Sequence, residues 1–164
     1  MSADDRSMNS NEREVLNLAG NSVAARRSAA RKLGLRKSQC AIAALQTALS
    51  DPHPAVRAEV VHALGRIGDA AAVPSLVPLL QDSDPSVRTG AVAALGMLGD
   101  PAAAEALISS LADSDRTVRI GAATVLGRMM AVEAILPLES LKCDTFSDVR
   151  EAAEDALARL KRRR

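Results

Sequence analysis

Apolar side chains along this chain fall into short stripes with helical spacing, broken at regular intervals by polar and glycine turns. Between residues 85 and 98, Val87, Ala91, Ala94, Leu95 and Leu98 share one face at about 100° per residue, with Thr89, Ala93 and Met97 on the other. The preceding stretch, 70 to 81, gathers Val73, Leu76, Val77, Leu79 and Leu80 in the same way. Pro74 and Pro78 predict a bend in it, because each removes a backbone donor. Asp84 and Pro85 restart the chain, the aspartate as N-cap and the proline at the first helical position. Gly68 followed by Asp69 marks a stop and a new start one helix earlier. The unit is a pair of short antiparallel helices.

That unit recurs with a fixed period. Val56 and Arg57 return as Val87 and Arg88, Val118 and Arg119, and Val149 and Arg150, each step being 31 residues. Asp51, Asp82, Asp113 and Asp144 keep the same phase, as do Leu64, Leu95, Leu126 and Leu157 and the glycines Gly65, Gly96 and Gly127. One period before Arg57, Leu64 and Gly65 stand Arg26, Leu33 and Gly34, a degenerate first copy. No such unit can bury its apolar face alone, so a period of this length implies a stacked array. The pattern predicts first helices near 10–19, 39–49, 70–81, 101–111 and 132–141. Second helices are predicted near 22–35, 54–67, 85–98, 116–130 and 147–161. A glycine kept at one phase inside the second helix costs roughly 1 kcal/mol against alanine, which predicts that a neighbouring helix approaches the backbone there.

Composition narrows the fold class to all-α. Hydrophobic residues make up 48% of the chain, yet it has one Phe and neither Trp nor Tyr. A core of Ala, Leu, Val and Ile suits thin, closely packed helices and not a β-sandwich. No apolar run approaches the roughly 20 residues a membrane span needs, and residues 1 to 14 have no secretory character, so a soluble, cytoplasmic monomer is expected. Cys40 and Cys143 are out of phase with the repeat and read as incidental thiols.

The string from Asp84 to Asp100, with its Asp-Pro-Ser-Val-Arg opening and Leu-Gly-Met-Leu-Gly-Asp close, resembles the HEAT repeat in the short form also found in phycobilisome lyases. The resemblance implies a right-handed α-α superhelix, an α-solenoid of about five helical hairpins. It implies a single domain over 10–160, with repeats at about 10–37, 38–68, 69–99, 100–130 and 131–160. Residues 1–9 are then a disordered tail and 161–164 a basic one. It further implies that the Val-Arg helices line a concave face. On that mapping the binding surface is made of Arg27 and Arg31; Ala58, His62 and Arg66; Thr89, Ala93 and Met97; Ile120, Thr124 and Arg128; and Glu151, Asp155 and Arg159.

Departures from the pattern gather at the last repeat, which is expected to be tilted or shifted. Met130 and Ala131 replace the Gly-Asp turn, Asp148 precedes the last Val, and Phe146 stands where Asp84 and Asp115 cap, moving the expected cap to Ser147.

Candidate chemistry is sparse. Stacked repeats lie about 8 to 10 Å apart, so each ladder arginine can reach the inter-helix aspartate of its own or the adjoining unit and bond loop carbonyls. The row Asp51, Asp82, Asp113, Asp144 with Arg57, Arg88, Arg119, Arg150 therefore reads as structural. The deoxyhypusine hydroxylases, a HEAT-repeat enzyme class, hold di-iron with His-Glu steps; here neither His53 nor His62 is followed by Glu. No metal, cofactor or catalytic residue is expected, and no nucleophile stands at a recognisable spacing from a base. The basic run from Arg26 to Lys37 allows a nucleic-acid binder, against which stand the missing aromatic platforms and the 16 acids and 8 bases of residues 38 to 158. The expected function is a non-catalytic scaffold that binds another protein on the concave face, anchored by Ala93, Met97 and Ile120. A phycobilisome-associated lyase subunit or phycobiliprotein chaperone is the alternative that the family resemblance suggests.

Overall fold

The structure, a computed structural model, describes residues 8–162. Ten α-helices run along them in five antiparallel pairs: α1 (Ser10–Asn17) with α2 (Val23–Leu35), α3 (Ile42–Ala48) with α4 (Pro54–Ile67), and α5 (Val73–Leu76) with α6 (Pro85–Leu98). The last two pairs are α7 (Ala104–Ser109) with α8 (Arg116–Met129) and α9 (Ile135–Leu141) with α10 (Ser147–Lys161). No strand occurs among the described residues. The chain is an α-solenoid of helical hairpins.

Capping explains why the second helices are long and regular. The Asp84 carboxylate accepts from the Ser86 amide at 2.8 Å and that of Asp115 from the Thr117 amide at 2.7 Å, supplying an acceptor to donors the first turn leaves unpaired. His53 does the same for α4 through Nδ1, 3.2 Å from the Ala55 amide. At the other end Gly68 and Gly99 close α4 and α6 in the left-handed conformation, with φ of 81° and 65°. The corresponding turns after α2 and α8 use Lys37 and Met130, at φ of 49° and 57°, where side-chain bulk makes the same conformation costly.

The first helices are short and broken. In the third pair a 3-10 turn (Ala70–Ala72) leads into α5, and a further 3-10 segment (Val77–Gln81) follows. The bend expected from Pro74 and Pro78 is thus a change of helix type. Proline is only part of the cause, since α7 gives way to a 3-10 turn over Ser110–Ala112 without one.

Leu45, Leu76, Leu107 and Leu138 from the first helices meet Leu33, Leu64, Leu95 and Leu126 from the second in one continuous core. Neighbouring repeats join mainly through their second helices. A Cβ on Gly34 would come within 2.7 Å of the Ala63 Cα, one on Gly65 within 3.0 Å of the Ala94 Cα, and one on Gly127 within 2.8 Å of the Ala156 Cα. Helices in this row approach backbone to backbone, as the conserved phase of the glycines predicts. The junction of α6 and α8 differs. Gly96 faces the side chain of Val125, so a valine separates these two helices where alanine stands at the other joints.

The arginine ladder ties each repeat to the next. Arg57 gives Nε and Nη2 to the Asp82 carboxylate, both at 2.7 Å, and Nη1 to the Asp51 carbonyl at 2.9 Å. Arg88 repeats this with Asp113 and the Asp82 carbonyl, and Arg119 with Asp144 and the Asp113 carbonyl. Each rung therefore reaches back to the loop before its own helix and forward to the loop of the next repeat. Arg26 makes a fourth rung with Asp51, at 2.6 and 3.0 Å. Arg150 keeps only the backward half, bonding the Asp144 and Thr145 carbonyls at 2.8 and 3.2 Å. The paired guanidinium is the main reason that Asp51, Asp82 and Asp144 lie below the usual carboxylate range. Burial works to raise Asp113, and the bonds from Arg88 and the Asp115 amide outweigh it and leave it lowered.

Polar side chains close both ends of the stack. Glu14 takes the place of the core leucines Leu45 and Leu76; burial acts to raise its carboxyl, and Lys32 at 2.8 Å together with Asn17 more than offsets this. In the last pair Glu139 and Lys142 stand where Ile108 and Leu111 stand one repeat earlier, and Glu139 bonds Lys161 at 2.8 Å.

Several terminal assignments need correction. Asn9, placed in the tail by sequence, caps α1 in a reciprocal capping box with Glu12. Lys161 is the last residue of α10 and Arg162 its C-cap, and the rest of both expected tails, 1–7 and 163–164, lies outside the described residues. Ser147 is the first residue of α10 and not its cap; Phe146 occupies the cap position without a side-chain bond, and its ring lies 5.2 Å from the Arg116 guanidinium carbon.

Candidate interaction surface

The positions two, six and ten residues after each repeat's Val, or after Ala25 in the first repeat, share one phase along α2, α4, α6, α8 and α10. At the first end of this face Arg27 and Arg31 are exposed. They are not equivalent. Glu59, buried in the adjoining helix α4, accepts from Arg31 Nε and Nη2 at 3.2 and 3.1 Å, so this arginine is engaged as an ion pair. Ala58 is half-buried, the half-buried His62 ring lies across Gly90, and Arg66 is exposed.

The middle of the face is neutral. Thr89 is half-buried, Ala93 is exposed, and the Met97 methyl folds over Gly65, where an added Cβ would come within 2.6 Å of it. Met97 nevertheless remains 48% exposed. Ile120 is half-buried and packs on the core, so it offers less surface than Met97. Thr124, which bonds the Ile120 carbonyl at 2.8 Å, and Arg128 are exposed. Glu151, Asp155 and Arg159 are exposed on α10 and, with Thr124 and Asp148, border a shallow cavity of about 230 Å³ between α8 and α10. Asp148 is 3.6 Å from Arg116.

This face and the ladder are separate. Ladder arginines are 11% to 15% exposed where they pair with aspartate, and they point between repeats rather than along the open face. Two features here escaped the sequence reading. Arg26 stands in phase with the ladder in the degenerate first copy, yet the sequence reading leaves it out of the rungs. Glu59 stands where the other repeats have Gly90, Gly121 and Ala152, and that break of period was its signal.

The family model for HEAT repeats matches residues 14–89 and again 73–158. The chain belongs to the HEAT-repeat family. Among solved structures, this HEAT-repeat protein is similar to a chain of the CpcE and CpcF complex of phycocyanin lyase from Nostoc sp. PCC7120. The TM-score there is 0.82 and the identity 28%, covering 99% of this chain and 69% of that one. It is also similar to an engineered protein, with a TM-score of 0.73, 25% identity and coverage of 93% and 80%. A designed armadillo repeat protein in complex with the peptide (KR)4 shares the fold at a TM-score of 0.70 and 21% identity, covering 92% and 81%. No curated protein matches the sequence. No helix among the described residues is long and apolar enough to cross a membrane.

Proposed function

We propose that this HEAT-repeat protein is a non-catalytic scaffold that holds a segment of another protein along the open face of its second helices. The packing of that row supports the reading most directly. Neighbouring repeats meet mainly through their second helices, which approach most closely where Gly34, Gly65 and Gly127 face alanine, and closer packing on that side than at the first helices turns the second-helix face inward. A stack curved this way presents a preformed groove, which lowers the ordering cost of binding. The histidines are used structurally, His53 as a cap and His62 against Gly90, and neither is given a nucleophile to activate.

The test is capture from native lysate with the wild-type protein and with a variant carrying Arg27→Ala, Arg66→Ala, Met97→Ala, Arg128→Ala and Asp155→Ala. A partner retained by the first and lost by the second, with both folded, supports the groove; equal capture by both removes it.

A second reading has its own observation, the likeness to the phycocyanin lyase complex chain over nearly the whole length. On that reading the protein is a bilin lyase subunit or phycobiliprotein chaperone, and the same face receives a phycobiliprotein or a second HEAT-repeat subunit. Co-purification with a phycobiliprotein, or with the partner subunit, decides between the two.

A further inference from the structure

We infer that the inner row Arg66, Met97 and Arg128 is a docking track for an acidic peptide segment, with carboxylates on the two arginines and an apolar side chain between them on Met97. The inference rests on the scaffold reading and names the chemistry of its partner.

Charge pairing leaves four arginines of the open face, Arg27, Arg66, Arg128 and Arg159, without an ion pair within 4 Å, and of these Arg66 and Arg128 lie on the helices either side of the exposed Met97. Most basic side chains of the described residues are committed: Arg26, Arg57, Arg88 and Arg119 to the ladder, Arg31 to Glu59, Lys32 to Glu14. Arg66 and Arg128 have no ion pair within 4 Å, although they are exposed on the same phase of α4 and α8. The exposed or half-buried positions beside them on α4, α6 and α8 are Ala58, His62, Thr89, Ala93, Ile120 and Thr124, and none is acidic. Glu59, the acid in this stretch of α4, is buried and held by Arg31. The acids in the loops after α4 and α6, Asp69 and Asp100, cap the following turns by accepting from the Ala71 and Ala102 amides, both at 2.9 Å. Two arginines without an ion pair thus flank an exposed thioether, and acids on this face begin only beyond Arg128, with the exposed Glu151 and Asp155 of α10.

Geometry fixes the spacing of the partner. Arg66, Met97 and Arg128 sit on three successive second helices, and helix neighbours are about 8 to 10 Å apart. The helix axes that carry the two arginines are therefore roughly 16 to 20 Å apart, a span that an extended chain at about 3.3 Å per residue covers in about five to six residues. The matching segment has acids six residues apart with an apolar residue midway. Arginine binds carboxylate through two parallel hydrogen bonds, and methionine adapts its shape to different apolar partners.

Phosphate chains would meet the same arginines, but two observations favour peptide. Met97 contributes an apolar surface that a phosphate backbone leaves unmatched, and no aromatic side chain is placed along the row to stack a base. A peptide whose acids end at Arg128 stops short of the exposed Asp148, Glu151 and Asp155 of α10, whereas a polyanion that continues along the groove runs into them and is repelled.

Fluorescence anisotropy on the full chain tests the track with three probes: a labelled extended peptide carrying two aspartates six residues apart and a leucine midway, the same peptide with lysines for aspartates, and a labelled DNA duplex. The expected result is saturable binding of the aspartate peptide below about 1 mM, weakened about tenfold or more by Arg66→Glu and by Arg128→Glu and unchanged by Lys142→Glu, a charge reversal at the exposed end of α9 and off the second-helix face. Circular dichroism and melting of each variant check that it remains folded. The inference is overturned if the aspartate peptide does not bind, if either charge reversal leaves its affinity unchanged, or if duplex DNA binds more tightly at 150 mM salt. Tighter binding of the lysine peptide also overturns it, while leaving the scaffold reading in place. If neither peptide binds, the track falls and lysate capture alone decides the scaffold.

Discussion

Replacing Arg88 with alanine removes one central rung, and the structure sets the size of the effect. The Arg88 side chain is 12% exposed and that of Asp113 is 9%, so this pair is not one of the solvated surface bridges worth about 0 to 1 kcal/mol. Alanine leaves the Asp113 carboxylate without the donors it holds at 2.7 and 2.9 Å, and the Asp82 carbonyl without its donor at 2.9 Å. Asp113 keeps the Asp115 amide at 2.8 Å, which limits the loss. A hydrogen bond to a charged group contributes about 1.5 to 3 kcal/mol and an orphaned buried acceptor costs about 1 to 3, so the expected destabilisation is about 2 to 4 kcal/mol. For a chain of this length that lowers the melting temperature by roughly 5 to 15 °C. Arg66→Ala, on the open face, should change stability by less than about 0.5 kcal/mol. Urea unfolding followed by circular dichroism compares the two. A double-mutant cycle with Asp113→Ala should show that the pair costs less than the sum of its parts. Equal midpoints for Arg88→Ala and Arg66→Ala, or strict additivity in the cycle, would refute the claim that the rung acts between repeats.

Three further outcomes follow from the geometry. Lys37→Gly should raise stability by about 0.5 to 1 kcal/mol, since the exposed lysine holds a φ of 49°, whereas Gly99→Ala at φ 65° should lower it by about 1 kcal/mol; thermal melts report both. The ladder aspartates are depressed in the folded state, so their contribution is fully present above the unfolded pKa of about 3.9 and fades as pH falls through the lower folded values. Melting temperature should thus hold between pH 7 and 5 and drop below about pH 4, and a flat profile to pH 2 would contradict the ladder. Gly96→Ala should destabilise by about 1 to 3 kcal/mol through contact with Val125 and be partly rescued by Val125→Ala, a recovery measurable by denaturant titration.

The repeat was legible because its signals are local and periodic. Asp84 with Pro85, Gly99, and the stripe through Val87 and Leu95 each declare a boundary or a buried face within one turn of helix. Pairings across repeats were legible only where they recur: the Arg57 and Asp82 rung could be reasoned from phase, but Arg31 with Glu59 appears once. Phe146 shows another limit. Sequence moved the cap one residue on to a polar Ser147, whereas the helix keeps the register set by its stacking and leaves the cap position without a side-chain bond. The face itself could be placed by phase, yet the neutralisation of Arg31 and the half-burial of Ile120 depend on neighbouring helices, which no single stripe encodes.

The two-handed grip of the ladder arginines has a consequence for how such a chain grows. Arg57 and Arg88 each hold the loop behind and an aspartate 25 residues ahead, so a rung is specified wholly by one repeat and the next. Duplicating any 31-residue stretch between Asp51 and Asp113 in phase writes a complete new rung while restoring both old ones, with no compensating change elsewhere. Lengthening by gene duplication is therefore structurally silent in this part of the molecule. It stops being silent at α6 and α8, where Val125 gives the joint a spacing of its own, so a copy inserted there would inherit or displace the one irregular step in the glycine seam and redirect everything beyond it.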